Sequence, residues 1–470
     1  MRASDIDAAA FAAKIPDRVA ALAARLAAAG GRTWVVGGAV RDHLRNGATS
    51  GDWDLATDLP PQELLPLVPD AAADARLGAV HWPSAAGEVA VHVLRAEDRY
   101  QDRRRPSEVR FVRDPAVDAQ RRDFTVNAIY FDLARAEWVD PCGGRADLAA
   151  RKLRMIGDPQ TRLAEDPLRL LRAIRFAASA ELELDEALVE ALAARAELAR
   201  SLSAYRVFGE LTRAFTGPGR GRALRLLVDT GLAAVVLPEV PPMDGVPQPP
   251  EYHPEGDVLT HVCLVLDHAC PDDPVQAWAA VLHDVGKPPT FERAADRIRF
   301  SGHDTLSAEM ADDVLRRLGA ANELRETVVE VCRDHIRIAS LPQMKPGKRE
   351  RWLRDPRFLA HLEFHRADCE ASHGDLRIYQ AAAAMLRDLP PPPAEPLCRG
   401  RDVMALGLPA GPMVGKVLRE LQSRLDAMEH PDRETALSIL GTLVEKRIKT
   451  RSRDVDQPDS RPEGHVPERP

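Results

Sequence analysis

Two aspartates one residue apart, Asp52 and Asp54, stand in GDWDLATD, shortly after the stretch WVVGGAVRD. In a strand, alternate side chains share a face, so these carboxylates project together while Trp53 and Leu55 turn to the core. Two carboxylates so close repel one another unless a cation sits between them. Mg²⁺ takes one or two carboxylates plus substrate phosphates. Two such ions activate an attacking hydroxyl and stabilise a leaving pyrophosphate. Gly37 and Gly38 clear space for backbone N–H groups to reach phosphate oxygens. Arg41, one turn into the helix that follows, offers a bidentate phosphate contact. Alone, the acid pair also reads as a solvated strand edge and the glycines as a turn. Their order along the chain is the narrower signal.

Two further stretches supply partners for a metal-bound triphosphate. RRDFTVNA (121–128) carries the donors Arg121 and Arg122 and continues into FTVNAIY, which alternates like a buried strand. In EDPLRLLRAIRF (165–176) and its flanks, helical spacing gathers Leu163, Leu170, Ile174 and Ala177 on one face. Glu165, Asp166, Arg169 and Arg172 fall opposite. That polar face reads either as solvated, with Asp–Arg pairs worth tenths of a kcal/mol, or as a base reader. A carboxylate accepts from an exocyclic amine, and a guanidinium donates to a ring nitrogen or carbonyl. Cytosine and adenine offer both groups. Uracil and guanine would set a carbonyl against the carboxylate, an unpaired arrangement that sites reject.

A third set is His261, His283, Asp284, His303, His335 and Asp368. Imidazole and carboxylate ligands suit Mn, Fe, Ni or Mg acting on phosphate substrates, and Lys287 is placed to hold a phosphate. Farther on, Gly407, Gly411 and Gly415 lie near Arg399, Arg401 and Lys416. They suit close approach to RNA phosphates or ordinary caps and turns.

The elements that must position these residues follow from the pattern. The 470 residues allow about three domains. An Ala-rich helix over 5–30 ends at Gly30–Gly31, and TWVVGG, DWDLAT, EVAVHVL, VRFV and FTVNAIYFDL read as strands. The predicted fold class is an α+β head with a small mixed sheet over 1–150, followed by all-α segments. These are a helical region at 151–240, a Pro-rich linker at 241–257, a helical block at 258–388, a second linker at 390–396 and a helical module at 397–448. Residues 449–470 lack an apolar face and read as a disordered tail. Hydrophobic content of 45% with 29% charged residues fits a globular protein. No apolar run is long enough for a membrane span, and the N-terminus lacks a signal-peptide core. Six cysteines without a CxxC pair exclude a zinc ribbon and point to reduced thiols in a cytoplasm. A net charge of −8 argues against a globally basic nucleic-acid binder but leaves room for a local basic cleft.

GGAVRD, DWD, RRDFTVNA, DPCGGRADL, EDPLRLLRAIRF and YRVFGEL, taken in order, resemble the bacterial class II tRNA nucleotidyltransferase and poly(A) polymerase family over about 31–240. The resemblance implies that Asp52 and Asp54 hold Mg²⁺ and that Gly38, Arg41, Arg122 and Arg172 serve the triphosphate. It implies that Asp166 and Arg169 read the base within a tRNA-binding neck and body. Expected partners are the tRNA 3′ end, CTP and ATP. Family members often carry a further carboxylate on the strand after the acid pair, for which Glu88 is the candidate. YQDRRRPSEV (100–109), with Arg104 and Arg105, resembles their mobile basic loop. The histidine block resembles the HD phosphohydrolase superfamily, whose order H, HD, H, H, D is complete here. This implies a divalent-metal site of one or two ions and a phosphohydrolase activity. The module at 397–448 resembles a C-terminal RNA-contacting element of HD-bearing members. The activity expected is template-independent addition of C and A to tRNA. Addition of A alone, poly(A) synthesis, and an HD phosphohydrolase with a nucleotide-binding head remain open beside it.

Overall fold

Pro16 breaks the Ala-rich N-terminal run. A proline has no N–H to give a helix interior but fits at a helix start. The single helix expected over 5–30 is therefore two helices, Ala3–Ala12 and Asp17–Ala28, with Pro16 at the N-cap of the second. The computed structural model describes residues 3–49, 53–68, 71–74, 78–82, 89–100, 106–294, 297–391, 396–428 and 431–455. Asp52, Glu88, Arg104 and Arg105 lie outside the described residues.

The described chain forms two compact units, Met1–His335 with Ala367–Gly374, and Ile336–Arg366 with Asp375–Pro470. The first opens on a seven-stranded mixed sheet. Its strands are β1 (Thr33–Val36), β2 (Trp53–Thr57), β3 (Ala72–Asp74), β4 (Ala79–Trp82), β5 (Val89–Val93), β8 (Tyr130–Asp132) and β9 (Glu137–Val139), in the order β3-β4-β5-β2-β1-β8-β9. Two more, β6 (Arg95–Tyr100) and β7 (Pro106–Phe111), form a separate hairpin. Within the seven-stranded sheet β2 and β5 run parallel, and its other described pairs are antiparallel. TWVV is buried at all four positions, as a central strand covered on both faces must be. One face packs Trp34, Val36, Ala56 and Tyr130 together. On the other, Phe11 of the first helix meets Phe131 and Trp138 at centroid distances of 4.9 and 5.1 Å.

Two expected elements differ. FTVNAIY is not one strand: Thr125–Asn127 makes a 3-10 turn, and β8 begins only at Tyr130. Local side-chain bonds compete with the ladder here. Thr125 Oγ1 donates to Asp147 at 2.6 Å, and Asn127 Nδ2 to Asp123 at 3.3 Å. EDPLRLLRAIRF is not one helix either. Asp166 is extended (φ −136°, ψ 99°) between helices Pro159–Glu165 and Leu168–Ser179, because a residue preceding proline is pushed out of the helical region. Leu163, Leu170, Ile174 and Ala177 are all buried as expected, but they come from two helices.

Helices Glu186–Arg195, Ala204–Thr216 and Arg220–Asp229 follow. The histidine block is built on helices Val258–His268, Pro274–Leu282, His303–Arg317 and Asn322–Asp334. A short hairpin, Phe291–Arg293 with Ile298–Phe300, interrupts a segment expected to be wholly helical. The Pro-rich segment before it is ordered rather than a bare linker: Pro247 bridges to Asp257, and Gln248 is buried.

The second unit holds two apolar clusters. One gathers Ile338, Trp352, Phe358 and Leu362. The other gathers Val403, Val417, Leu421, Leu440 and Val444. Gly407 and Gly411 have positive φ, Gly411 at the N-cap of helix Pro412–Leu425, which contains Gly415. The last helix, Arg433–Val455, reaches into the stretch expected to be disordered. No described helix is long and apolar enough to cross a membrane.

Candidate active site and candidate metal centre

Strand pairing fixes where the glycine turn meets the acid. Val36 lies opposite Asp54, so Gly37, the next residue, passes directly over the Asp54 carboxylate. Gly37 has φ +88°, and a Cβ there would sit 2.9 Å from Asp54 Oδ2. Glycine is required on both counts. Helix Gly38–Asn46 then starts beside the carboxylate, presenting unpaired N–H groups at a terminus suited to phosphate. Trp53 and Leu55 are buried, as alternation requires. On the neighbouring strand His92 Nε2 lies 3.8 Å from Asp54 Oδ1, a neighbour that the sequence reading missed.

The expected phosphate arginines converge on RRDFTVNA, but through residues that the sequence did not single out. Arg41 is buried, and its Nη1 donates to Asn127 Oδ1 at 3.0 Å. Arg122 Nε donates to Tyr130 Oη at 2.9 Å and to Asp118 Oδ2 at 3.1 Å, and Nη1 reaches the Asn127 carbonyl at 3.5 Å. Burial alone would raise the Asp118 pKa, yet Arg122 and Arg121 hold it well below the usual carboxylate range. Arg172 donates from Nε (2.8 Å) and Nη2 (2.5 Å) to Asp123 Oδ2. Asp123 is lowered to about 2, burial opposing and Arg172 prevailing. Asn127 thus ties Arg41 to Asp123 and so to Arg172. The motif's own Asn was the available signal for this hub.

Arg169 N donates to the Asp166 carbonyl at 3.0 Å, but no described bond joins their side chains. Asp166 Oδ1 accepts from Leu168 N and from Arg206 Nη2, each at 3.2 Å. No described bond falls on Oδ2. Arg169 is buried, and it donates to the Arg162 carbonyl (2.8 Å), Glu165 Oε2 (3.2 Å) and the Arg121 carbonyl (3.3 Å). It therefore clamps its helix to the start of RRDFTVNA. Glu210, from YRVFGEL, is buried beneath Arg175 at 3.1 Å, so that motif braces the same helix.

All six residues of the histidine set meet in the first unit. His261, His283 and Asp368 form one group of potential ligands, and Asp284, His303 and His335 another, each with ligand atoms within 4.8 Å of one another. Asp284 lies between them. Its Oδ2 is 3.1 Å from His283 Nε2 and 3.7 Å from His261 Nε2, while Oδ1 is 3.5 Å from His303 Nε2 and 3.9 Å from His335 Nε2. The Asp284 side chain is 1% exposed, and neither oxygen has a hydrogen bond of good geometry. Buried carboxylate oxygens in that condition, ringed by imidazole nitrogens, fit one or two divalent ions. Lys287 Nζ sits 2.7 Å from Asp284 Oδ2 and donates to Gln248 Oε1 at 2.6 Å. Burial lowers His261, but Asp368 and Glu255 outweigh it and lift the pKa to about 9. Burial and the nearby His283 push His335 down to about 4. Gln248 and Glu255 come from the segment read as a linker. The signal overlooked was the acid in YHPEGD, six residues before His261.

Residues 33–154 match the family described as the poly A polymerase head domain, 181–243 that described as the probable RNA- and SrmB-binding site of polymerase A, and 258–391 the HD domain. The sheet head with its acid-bearing strand is thus of the nucleotidyltransferase class. The chain is 34% identical over 413 residues to an A-adding tRNA nucleotidyltransferase of Deinococcus radiodurans, covering 82% of this chain and 90% of that protein. It is 36% identical to a multifunctional CCA protein of Halorhodospira halophila, covering 67% of this chain and 77% of that one. The chain belongs to the tRNA nucleotidyltransferase family and is an enzyme of that kind. Its fold matches the Bacillus stearothermophilus CCA-adding enzyme solved with CTP, at TM-score 0.68 and 23% identity over 92% of this chain and 98% of that one.

Proposed function

We propose that this enzyme adds C and A to the 3′ end of tRNA from CTP and ATP without a nucleic-acid template. The observation that carries the reading is the close passage of Gly37 over Asp54 at the start of a helix, in a chain whose relatives include an A-adding tRNA nucleotidyltransferase and a multifunctional CCA protein. Asp54, with Asp52, would hold Mg²⁺, which would supply charge neutralisation for phosphoryl transfer. The tRNA 3′-oxygen bonds to the α-phosphorus as the bond to pyrophosphate breaks. Gly38 and the helix N-terminus offer N–H groups to the phosphates, and Arg41, Arg122 and Arg172 neutralise them from their fixed positions around Asn127. Asp166 offers Oδ2 to an exocyclic amine, and Arg169, one turn on, would meet the neighbouring acceptor by exchanging one of its bonds to the Arg162 carbonyl, Glu165 or the Arg121 carbonyl. Relatives are named both for CCA and for A addition. The presence of both Asp166 and Arg169 supports use of both nucleotides. An Asp54→Ala protein that keeps its melting temperature yet still extends a tRNA ending at the discriminator base refutes the assignment.

The histidine set supports a second activity, metal-dependent hydrolysis of a phosphate ester. His261, His283, His303, His335, Asp284 and Asp368 would hold the divalent ion or ions, and Lys287 lies beside Asp284 to meet a substrate phosphate. Phosphate release that survives Asp54→Ala and disappears in His283→Ala is the expected result. Release that persists in His283→Ala contradicts it.

A further inference from the structure

Each histidine of the metal centre is aimed through its Nδ1. For three of them the partner is the carbonyl three residues earlier in the chain. His283 Nδ1 lies 2.9 Å from the Ala280 carbonyl, His303 Nδ1 2.7 Å from that of Phe300, and His335 Nδ1 2.6 Å from that of Cys332. Each contact places the proton on Nδ1 and leaves Nε2 facing Asp284. His261 differs. It sits within helix Val258–His268, and its Nδ1 is met by a side chain, Glu255 Oε1, at 2.7 Å. Its Nε2 then points at Asp368 Oδ1 (3.1 Å) and His283 Nε2 (3.4 Å). The Glu255 side chain is 7% exposed, and the same oxygen also lies 2.9 Å from His253 Nδ1. A buried carboxylate is costly unless it is engaged, so its place behind a buried imidazole needs a reason.

We propose that Glu255 is a positioning residue of the HD metal centre. It fixes the tautomer and orientation of His261 as backbone carbonyls fix the other three histidines. This rests on the reading of the histidine set as a metal centre. A carboxylate behind a ligating histidine raises its basicity and fixes its ring, and removal of such a partner typically weakens metal binding by about 10–100-fold. The segment holding Glu255, between the helical body and the histidine block, is thereby part of the centre's wall. Gln248, from the same segment, fixes Lys287 on its other side.

The test is Co²⁺ binding to the full chain, followed by the visible absorption of the histidine-bound ion and by titration calorimetry. Wild type, His283→Ala, Glu255→Leu and Glu255→Gln are compared, with thermal melts of each. Leucine fills the volume without an acceptor, whereas glutamine keeps an acceptor for the Nδ1 proton. Glu255→Leu is expected to weaken Co²⁺ binding by about 10–100-fold and to change its absorption bands. Glu255→Gln is expected to stay within a few-fold of wild type. If His283→Ala leaves the spectrum unchanged, the metal centre itself is wrong and this inference falls with it. If His283→Ala abolishes the spectrum while Glu255→Leu matches wild type, only the positioning role is overturned. Should Glu255→Leu not fold, Glu255→Gln decides: a hundredfold loss there contradicts positioning by an acceptor.

Discussion

Replacing Gly37 with alanine should separate the cost of a strained backbone from the cost of moving the Asp54 carboxylate, the proposed metal ligand. The new Cβ would lie 2.9 Å from Asp54 Oδ2, whereas ordinary contacts begin near 3.4 Å, so the carboxylate must retreat by roughly 0.5 Å from its present position. The atom displaced is the end of a partly exposed side chain, so the clash adds little to the folding cost. The conformation at φ +88° costs about 1–3 kcal/mol for a residue with a Cβ. Activity should suffer more, because a misplacement of about 1 Å at reacting groups costs on the order of 100-fold. Single-turnover extension of tRNA should therefore slow by about 10–100-fold at a temperature where melting shows the protein folded. Gly47→Ala is the control. Gly47 has φ +76° with nothing within 4 Å, so alanine there should cost about 1–2 kcal/mol and leave extension intact. Equal rates for the two folded variants would show that the Asp54 carboxylate is not displaced to any effect on extension.

Other consequences follow from the same contacts. Asp123 is lowered to about 2 from 3.8, so its pairing with Arg172 contributes stability on the order of 2 kcal/mol. That contribution is fully present above the unfolded pKa and is lost as pH falls from about 4 through 2. Urea melts between pH 3 and 6 should show this slope in wild type and a shallower one in Asp123→Asn. Tyr130→Phe removes the hydroxyl shared by Asp118 and Arg122. It should lower stability by about 1–3 kcal/mol and raise the KM for nucleotide more than it lowers kcat, as read by melts and steady-state extension. Asp166→Ala should erode selectivity for CTP over UTP by at least about tenfold, measured as the ratio of kcat/KM values.

The sequence was most informative where chemistry and local pattern coincide. Alternation around Trp53 and Leu55 placed Asp54 on the open face of its strand; the glycines were read as room for phosphate, whereas the close approach at Gly37 is to the Asp54 carboxylate. The order H, HD, H, H, D assembled as one set. The failures came from two sources. Prolines override periodicity: Pro16 and Pro167 each divide a periodic run, and Pro167 puts Asp166 at a bend rather than on a helix face. Long-range partners were the second source. No spacing rule shows that Arg41 meets Asn127 across 86 residues, or that Arg169 reaches back to the carbonyl of Arg121. Glu255 was passed over because prolines around it resemble a linker, although its distance from His261 is short in the chain as well as in space.

The central claim is nucleotide addition to tRNA without a template. It is tested most directly by sizing the products formed from a tRNA that ends at its discriminator base, given labelled CTP alone, ATP alone, or both. Short C products are expected with CTP alone, and a defined CCA end with both nucleotides. A ladder of many A residues with ATP, or metal-dependent phosphate release with no label incorporated, would contradict the claim.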